Sequence, residues 1–300
     1  MLKGIQGQNP TFLSDLSRIQ SRISTANKQI TSGYRVTQAS DDPGAISSII
    51  SWQGQIDHLT QTQTNLANAK TQNETADGAL QTTNTILDQL ITIGSQGTTE
   101  TTTSDTRAAL ADQVKQLAGQ IVGIANTSAN GKYVFGGDDP TTAPYTFDWT
   151  SGTNGVVSNT TGAATALLDD GSGATTKAGK SAMTIFDSGS NSIFAAVYNL
   201  GQALANNDVA GVQTALGSLK TAGTYLSQVS ASYGARENWI AQAADTAGSH
   251  LTNLQASLAS VRETDLPSAI TQMTMNQTSL QAAISAHASL STKSLFDYFG

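Results

Sequence analysis

Residues 28–46 read KQITSGYRVTQASDDPGAI, and the way this stretch ends one helix and begins another organises the chain on both sides of it. Gly33 suits the left-handed position just past a helix C-terminus. Asp41-Asp42-Pro43 then supplies side-chain caps and a proline for the first turn of a new helix. Upstream, from Leu13, the apolar residues Leu16, Ile19, Ile23, Ala26 and Ile30 are spaced 3, 4, 3 and 4 apart, a heptad seam on one helix. Downstream, Ile46, Ile49, Ile50, Ile56, Leu59, Leu66, Leu80, Leu87, Leu90 and Ile93 keep a helical period through a polar middle. The pattern gives out at Gly94 and the threonine-rich residues 98–103, which predicts a rod-like helix of about 50 residues.

Further along, Leu110, Val114, Leu117 and Ile121 predict a helix over about 105–127, stopped by Asn130-Gly131. From Gly131 to Gly189 the period changes. Short β-prone pieces at 133–135, 145–147 and 183–186 lie between turn pairs such as Gly136-Gly137, Asn154-Gly155 and Asp170-Gly171, the pattern of a small β-rich insertion. Helical spacing returns at Ile193, Val197, Leu200 and Leu204, resumes at Val212, and runs through Leu258 and Val261. A last helix follows Pro267 through Ile270, Met273, Leu280 and Ile284.

The expected fold class is therefore mainly α with a β-rich insertion: an elongated antiparallel helical bundle or coiled coil formed by both chain termini, with a small β domain in the middle. The expected divisions are 1–42 (terminal helix and turn), 43–137 and 190–265 (two halves of a helical core), 138–189 (β-rich outer domain) and 266–300 (C-terminal helix). A narrow two-helix seam buries little per ordered residue, so these termini are expected to order fully only among neighbouring subunits.

Composition removes several classes of function. Charged residues make up 12% of the 300, about half the usual globular share. The net charge is −7 and the few Lys and Arg are scattered, so a basic stripe for nucleic acid is missing. No apolar run reaches the length of a membrane span, and Met1–Pro10 lacks the pattern of a cleaved signal peptide. There is no cysteine, hence no disulfide, thiolate metal site or thiol nucleophile.

Nor do the remaining residues form a catalytic or cofactor pattern. His58, His250 and His287 lie on separate helical stretches, and neither HExxH nor GxSxG occurs. The segment GATTKAGKS at 173–181 places five residues between its glycines where a phosphate loop has four. Gly136-Gly137-Asp138-Asp139 lacks the spacing of a calcium loop and reads as a turn. No cofactor, metal or enzymatic activity is expected.

Residues 28–46 also resemble the N-terminal signature of bacterial flagellins and flagellin-like junction proteins. In that superfamily the Ser-Gly-x-Arg-Val and Ser-Asp-Asp-Pro segments form the turn between the terminal and long core helices; here they match Ser32, Gly33, Arg35 and Val36, then Asp41, Asp42 and Pro43. VRETDLPSAI at 261–270 and residues 277–299, with SLFDYF at 294–299, resemble the C-terminal core. The GKYVFGGDDP segment at 131–140 and the SLFDY ending are most similar to the hook-associated, L-type junction members rather than to filament flagellins.

The resemblance implies a structural subunit joining another hook-associated protein below to flagellin above, self-associated in a ring and handled by a cytoplasmic export chaperone. It implies export without a cleaved signal to the extracellular flagellum, with no contact to nucleic acid or membrane. A filament-forming flagellin is the alternative, and a secreted enzyme on flagellin-like termini a remote one. Leu13, Leu16, Ile19, Ile23 and Ile30 are expected to form the assembly interface with Leu280, Ile284, Leu290, Leu295 and Phe296, both within the chain and with its neighbours.

Overall fold

The computed structural model describes residues 8–150 and 154–292, with side chains over 10–150 and 154–289. The helices are α1 (Gln8–Ser32), α2 (Pro43–Gly97), α3 (Ser104–Ala125), α4 (Ala182–Phe186), α5 (Ile193–Ala205), α6 (Val209–Arg262) and α7 (Leu266–Thr292). Between α3 and α4 lie six short strands: β1 (Ser128–Ala129), β2 (Lys132–Tyr133), β3 (Tyr145–Phe147), β4 (Val156–Ser158), β5 (Leu167–Asp169) and β6 (Thr175–Lys177). They pair only with their sequence neighbours, as three antiparallel two-stranded ladders. This is a helical fold with a β insertion, as the change of period predicts. Its parts group into two compact units, one of described residues up to Asp57 and from Leu251 on, the other His58–His250.

Within His58–His250 the core is built by heptad stripes on α2 and α6. Leu66, Leu80, Leu87 and Leu90 are buried on α2, as are Val212, Leu219, Leu226, Tyr233 and Ile240 on α6. Small residues let α2 close onto its neighbours: a Cβ on Gly94 would lie 2.6 Å from a Leu216 methyl. Leu110, Val114, Ile121, Ile193, Val197 and Leu200 complete the core from α3 and α5. Arg107 is also buried there, without a carboxylate. Its guanidinium donates to the carbonyls of Gly97 (2.8 Å) and Thr99 (3.2 Å) and to Asn207 Oδ1 (2.6 Å), so the C-terminal end of α2 receives a cation.

The insertion differs from expectation in two places. Residues 183–186, β-prone by composition, belong to the helix α4. Ser181 caps it, accepting from Thr184 N–H, and Ile185 and Phe186 are fully buried against the helical core, so a tertiary pocket overrides a local strand preference. Asn130 and Gly131 (φ +53° and +76°) form the two-residue turn between β1 and β2, while α3 ends earlier, at Ala125. The phosphate-loop-like segment contributes β6, paired with β5. Asp138 accepts from Thr165 N–H at 2.7 Å and Asp139 from Thr141, so both carboxylates serve as turn caps.

Candidate assembly interface

In the unit formed by the two ends of the chain, α1 stops where Gly33 adopts φ +74° and donates to the Gln29 carbonyl at 2.9 Å. The chain then runs beside residues 261–264. Tyr34 and Glu263 form an antiparallel bridge, Arg35 N–H donates to the Arg262 carbonyl (2.7 Å), and Thr264 N–H donates to the Gly33 carbonyl (3.0 Å). Ser32 Oγ accepts from Tyr34 N–H, and the Arg262 guanidinium lies 4.2 Å from the centre of the Tyr34 ring. Val36 is buried beneath this crossing.

Arg35 is the fork of the crossing. Nη2 donates to the Val261 carbonyl in the last turn of α6 (2.8 Å), and Nη1 to Asp42 Oδ2 (3.0 Å). Asp42 in turn accepts Ala45 N–H through Oδ1 and caps α2, with Pro43 at its first position. The cation thus sits at a helix C-terminus and the anion at a helix N-terminus, each favoured by the local dipole. The Arg35 hydrogen bond, then that from Ala45 N–H, holds the Asp42 carboxyl below its ordinary range. Asp41 accepts from Thr37 N–H (2.9 Å), Thr37 Oγ1 and Gln38 N–H, and these bonds, Thr37 first, pull its pKa to about 2.

Beyond the crossing α1 and α7 pack together and run antiparallel. Phe12 stacks on His287 with ring centres 4.0 Å apart, at the end remote from the Tyr34/Glu263 bridge. Phe12, Leu16, Ile19, Ile23, Ala26 and Ile30 are buried or half-buried on α1, and Ala269, Met273, Asn276, Leu280, Ala283 and His287 on α7. Both series keep the 3–4 spacing of a coiled-coil seam. A groove of about 430 Å³ opens beside it, lined by Arg22, Thr25, Ala26, Gln272, Met275 and Asn276.

The structure therefore brings Leu16, Ile19, Ile23, Ile30 and Leu280 into one seam and leaves two predicted interface residues largely open, Leu13 at 61% and Ile284 at 51% exposure. Leu290 has no described side chain, and Leu295 and Phe296 lie outside the described residues. Sequence reasoning missed Phe12, which extends the heptad one step, and the Val261 and Arg262 carbonyls, which no side-chain pattern signals.

The outward faces are unusual for solvated helices. α7 carries no Asp, Glu, Lys or Arg in 27 residues, yet most of its surface is exposed. Leu266, Ile270 and Met275 stand out on it beside Ile284. Charge is segregated as well. Residues 58–250 hold fifteen acidic and eight basic side chains, and the rest of the chain seven of each, so the net −7 belongs to His58–His250. No helix among the described residues is long and apolar enough to cross a membrane.

Two family models match the chain, the bacterial flagellin N-terminal helical region over residues 9–139 and the bacterial flagellin C-terminal helical region over 216–299. A flagellin from Clostridium tyrobutyricum is 33% identical over 116 residues, covering 39% of this chain and 31% of that protein. This chain likewise spans 44% and 38% of the flagellins of Bacillus subtilis and Halalkalibacterium halodurans. A flagellar filament 30.7 kDa core protein from Treponema maltophilum is 24% identical over 269 residues, 89% of this chain and 87% of that one. Among solved structures, a putative flagellar hook-associated protein from Vibrio parahaemolyticus aligns with a TM-score of 0.64 at 18% identity, over 74% of this chain and 100% of its own. Hook-associated protein-3 from Legionella pneumophila aligns at 0.62 and 14% identity, over 71% and 98%. At these identities the likeness is one of fold.

Proposed function

Because the chain belongs to the bacterial flagellin family, whose N- and C-terminal helical regions it carries at its two ends, we propose that it is a structural subunit of the flagellum that joins hook to filament. In this role it contacts another hook-associated protein on one side and flagellin on the other, with copies of itself beside it in a ring. It reaches the cell exterior through the flagellar export route, delivered by a cytoplasmic chaperone, and performs no catalysis.

The observation that carries the junction role is coverage: solved hook-associated proteins align over 98–100% of their own length. The charge-free, half-exposed α7 and the apolar side chains left open on both terminal helices support the assembly part of the proposal. Such a face is solvated poorly in the free chain and gains by burial against neighbours. Leu13, Leu16, Ile19, Ile23, Ile30, Leu280, Ile284, Leu290, Leu295 and Phe296 are its proposed interface. α7 brings no charged side chain to that interface, so its own face adds no repulsion between neighbouring copies.

A filament-forming role is the second reading, favoured by the nearly full-length match to the Treponema filament core protein. Electron microscopy of cells lacking the gene separates the two. Hooks without filaments, with flagellin shed into the medium, are expected for a junction subunit. Absent filaments without shed flagellin would favour the filament subunit, and intact filaments would reject both.

A further inference from the structure

The α1/α7 seam is tolerant of slippage. Sliding α7 by one heptad places Phe12 opposite Leu280, Ile19 opposite Met273 and Ile23 opposite Ala269, all apolar pairings, so the stripe alone does not select one alignment. Neither helix offers an interhelical ion pair: the charges of α1 are Asp15, Arg18, Arg22 and Lys28, α7 has none, and Asp15 is paired with Arg18 on its own helix. Of the polar residues of the described α7 stripe, His287 stacks on Phe12 at the far end, and Asn276, which the slip moves from Ile23 to Leu16, borders the open groove and is only partly buried.

The crossing at residues 33–36 and 261–264 is, by contrast, specific to a single alignment. Its backbone bonds pair Gly33 with Thr264 and Arg35 with Arg262, residue by residue, and a slip of seven breaks all of them. The Arg35 fork closes on Val261 and Asp42 only when the end of α6 and the start of α2 flank the same turn. We infer that the register of the α1/α7 pair is set by this clasp rather than by the seam, with Arg35 as the positioning residue. Arg35 is 45% and Asp42 33% exposed in the side chain, so the pair adds little to overall stability. Selecting between near-equivalent registers requires little. The register in turn decides at what height along the pair α7 presents its outward apolar side chains, and that consequence for assembly rests on the function proposed above.

The absence of native cysteine makes the register directly measurable. Interpolating between Phe12/His287 and Tyr34/Glu263 places Ile19 opposite Leu280. The double variant Ile19→Cys, Leu280→Cys reports this alignment, and Ile19→Cys, Met273→Cys reports the one-heptad slip. In the full chain under mild oxidation, the first pair is expected to close and the second to stay open. Adding Arg35→Ala should let the second close at a rate within about threefold of the first, as expected for near-degenerate heptad registers. Arg35→Lys should do the same, because an ammonium lacks the planar fork that serves Val261 and Asp42 together.

Closure of only the Ile19/Leu280 pair in both Arg35 variants, with helicity retained, overturns the inference that Arg35 positions the pair. If neither pair closes in Arg35→Ala, the Arg35→Lys chain decides by the same criterion. These disulfides are read on the free chain, so the outcome stands apart from whether the protein joins hook to filament.

Discussion

Replacing Leu13, Ile270 and Ile284 together by glutamine tests whether the open apolar face is an assembly surface. These side chains are 61%, 49% and 51% exposed, so roughly half of each remains to be buried by a neighbour. Full burial of a Leu or Ile side chain contributes about 1.5–3 kcal/mol, which leaves about 1 kcal/mol per residue for assembly. The triple variant therefore forfeits about 3 kcal/mol at each subunit contact, or roughly 100-fold in association at about 1.4 kcal/mol per decade. Glutamine keeps the length and helix propensity of the originals, so the free chain should hold its helix content. The assay is the concentration of chain needed to seed flagellin polymerisation, followed by light scattering, with circular dichroism on the same samples. An unchanged seeding concentration would refute the reasoning, as would a loss of helix in the free variant large enough to account for the defect.

Three further perturbations probe other parts of the molecule. Arg107→Met strands the buried Gly97 carbonyl and removes three charge-assisted hydrogen bonds; a loss of about 3 kcal/mol is expected, lowering the Tm of His58–His250 by roughly 6–12 °C in calorimetry. Gly137→Ala combines a left-handed φ of +65° with a Cβ directed into the Ala163 carbonyl; it should destabilise the same unit by more than about 1 kcal/mol in urea unfolding, whereas Gly173→Ala, in open space, should cost less. Acidification should loosen the clasp. The folded-state pKa values of Asp41 and Asp42 lie below the ordinary 3.8, so their contribution is present above that value and fades as pH falls toward 2. The protection factors of the Thr37, Gln38 and Ala45 amides should fall across that window, and constant protection would contradict the assignment.

The parts legible from sequence are those whose determinants are local. The heptad spacing of Leu16, Ile19 and Ile23, the Gly33 stop and the Asp42-Pro43 start place α1 and α2 because caps and periodicity act within one or two turns. The starts of α3, α5 and α7 follow from the same signals, whereas the end of α3 at Ala125 does not. What sequence did not reveal depends on residues brought together from far apart in the chain. Composition makes 183–186 a strand candidate, yet the chain turns it into α4 because Ile185 and Phe186 must fill a pocket in the core.

The candidate interface divides in the same way. Sequence alone determined that two amphipathic terminal helices exist, which stripe of each is apolar, and that a capped turn interrupts the first. Only the tertiary structure decided that Leu16, Ile19 and Leu280 go into the seam while Leu13 and Ile284 stay open, that Phe12 meets His287, and that Arg35 closes on Val261. The reason is physical. A heptad stripe is wider than the seam that one partner helix can cover, and the carbonyls that receive Arg35 are identical in every residue type, so the sequence marks the donor but never its acceptor.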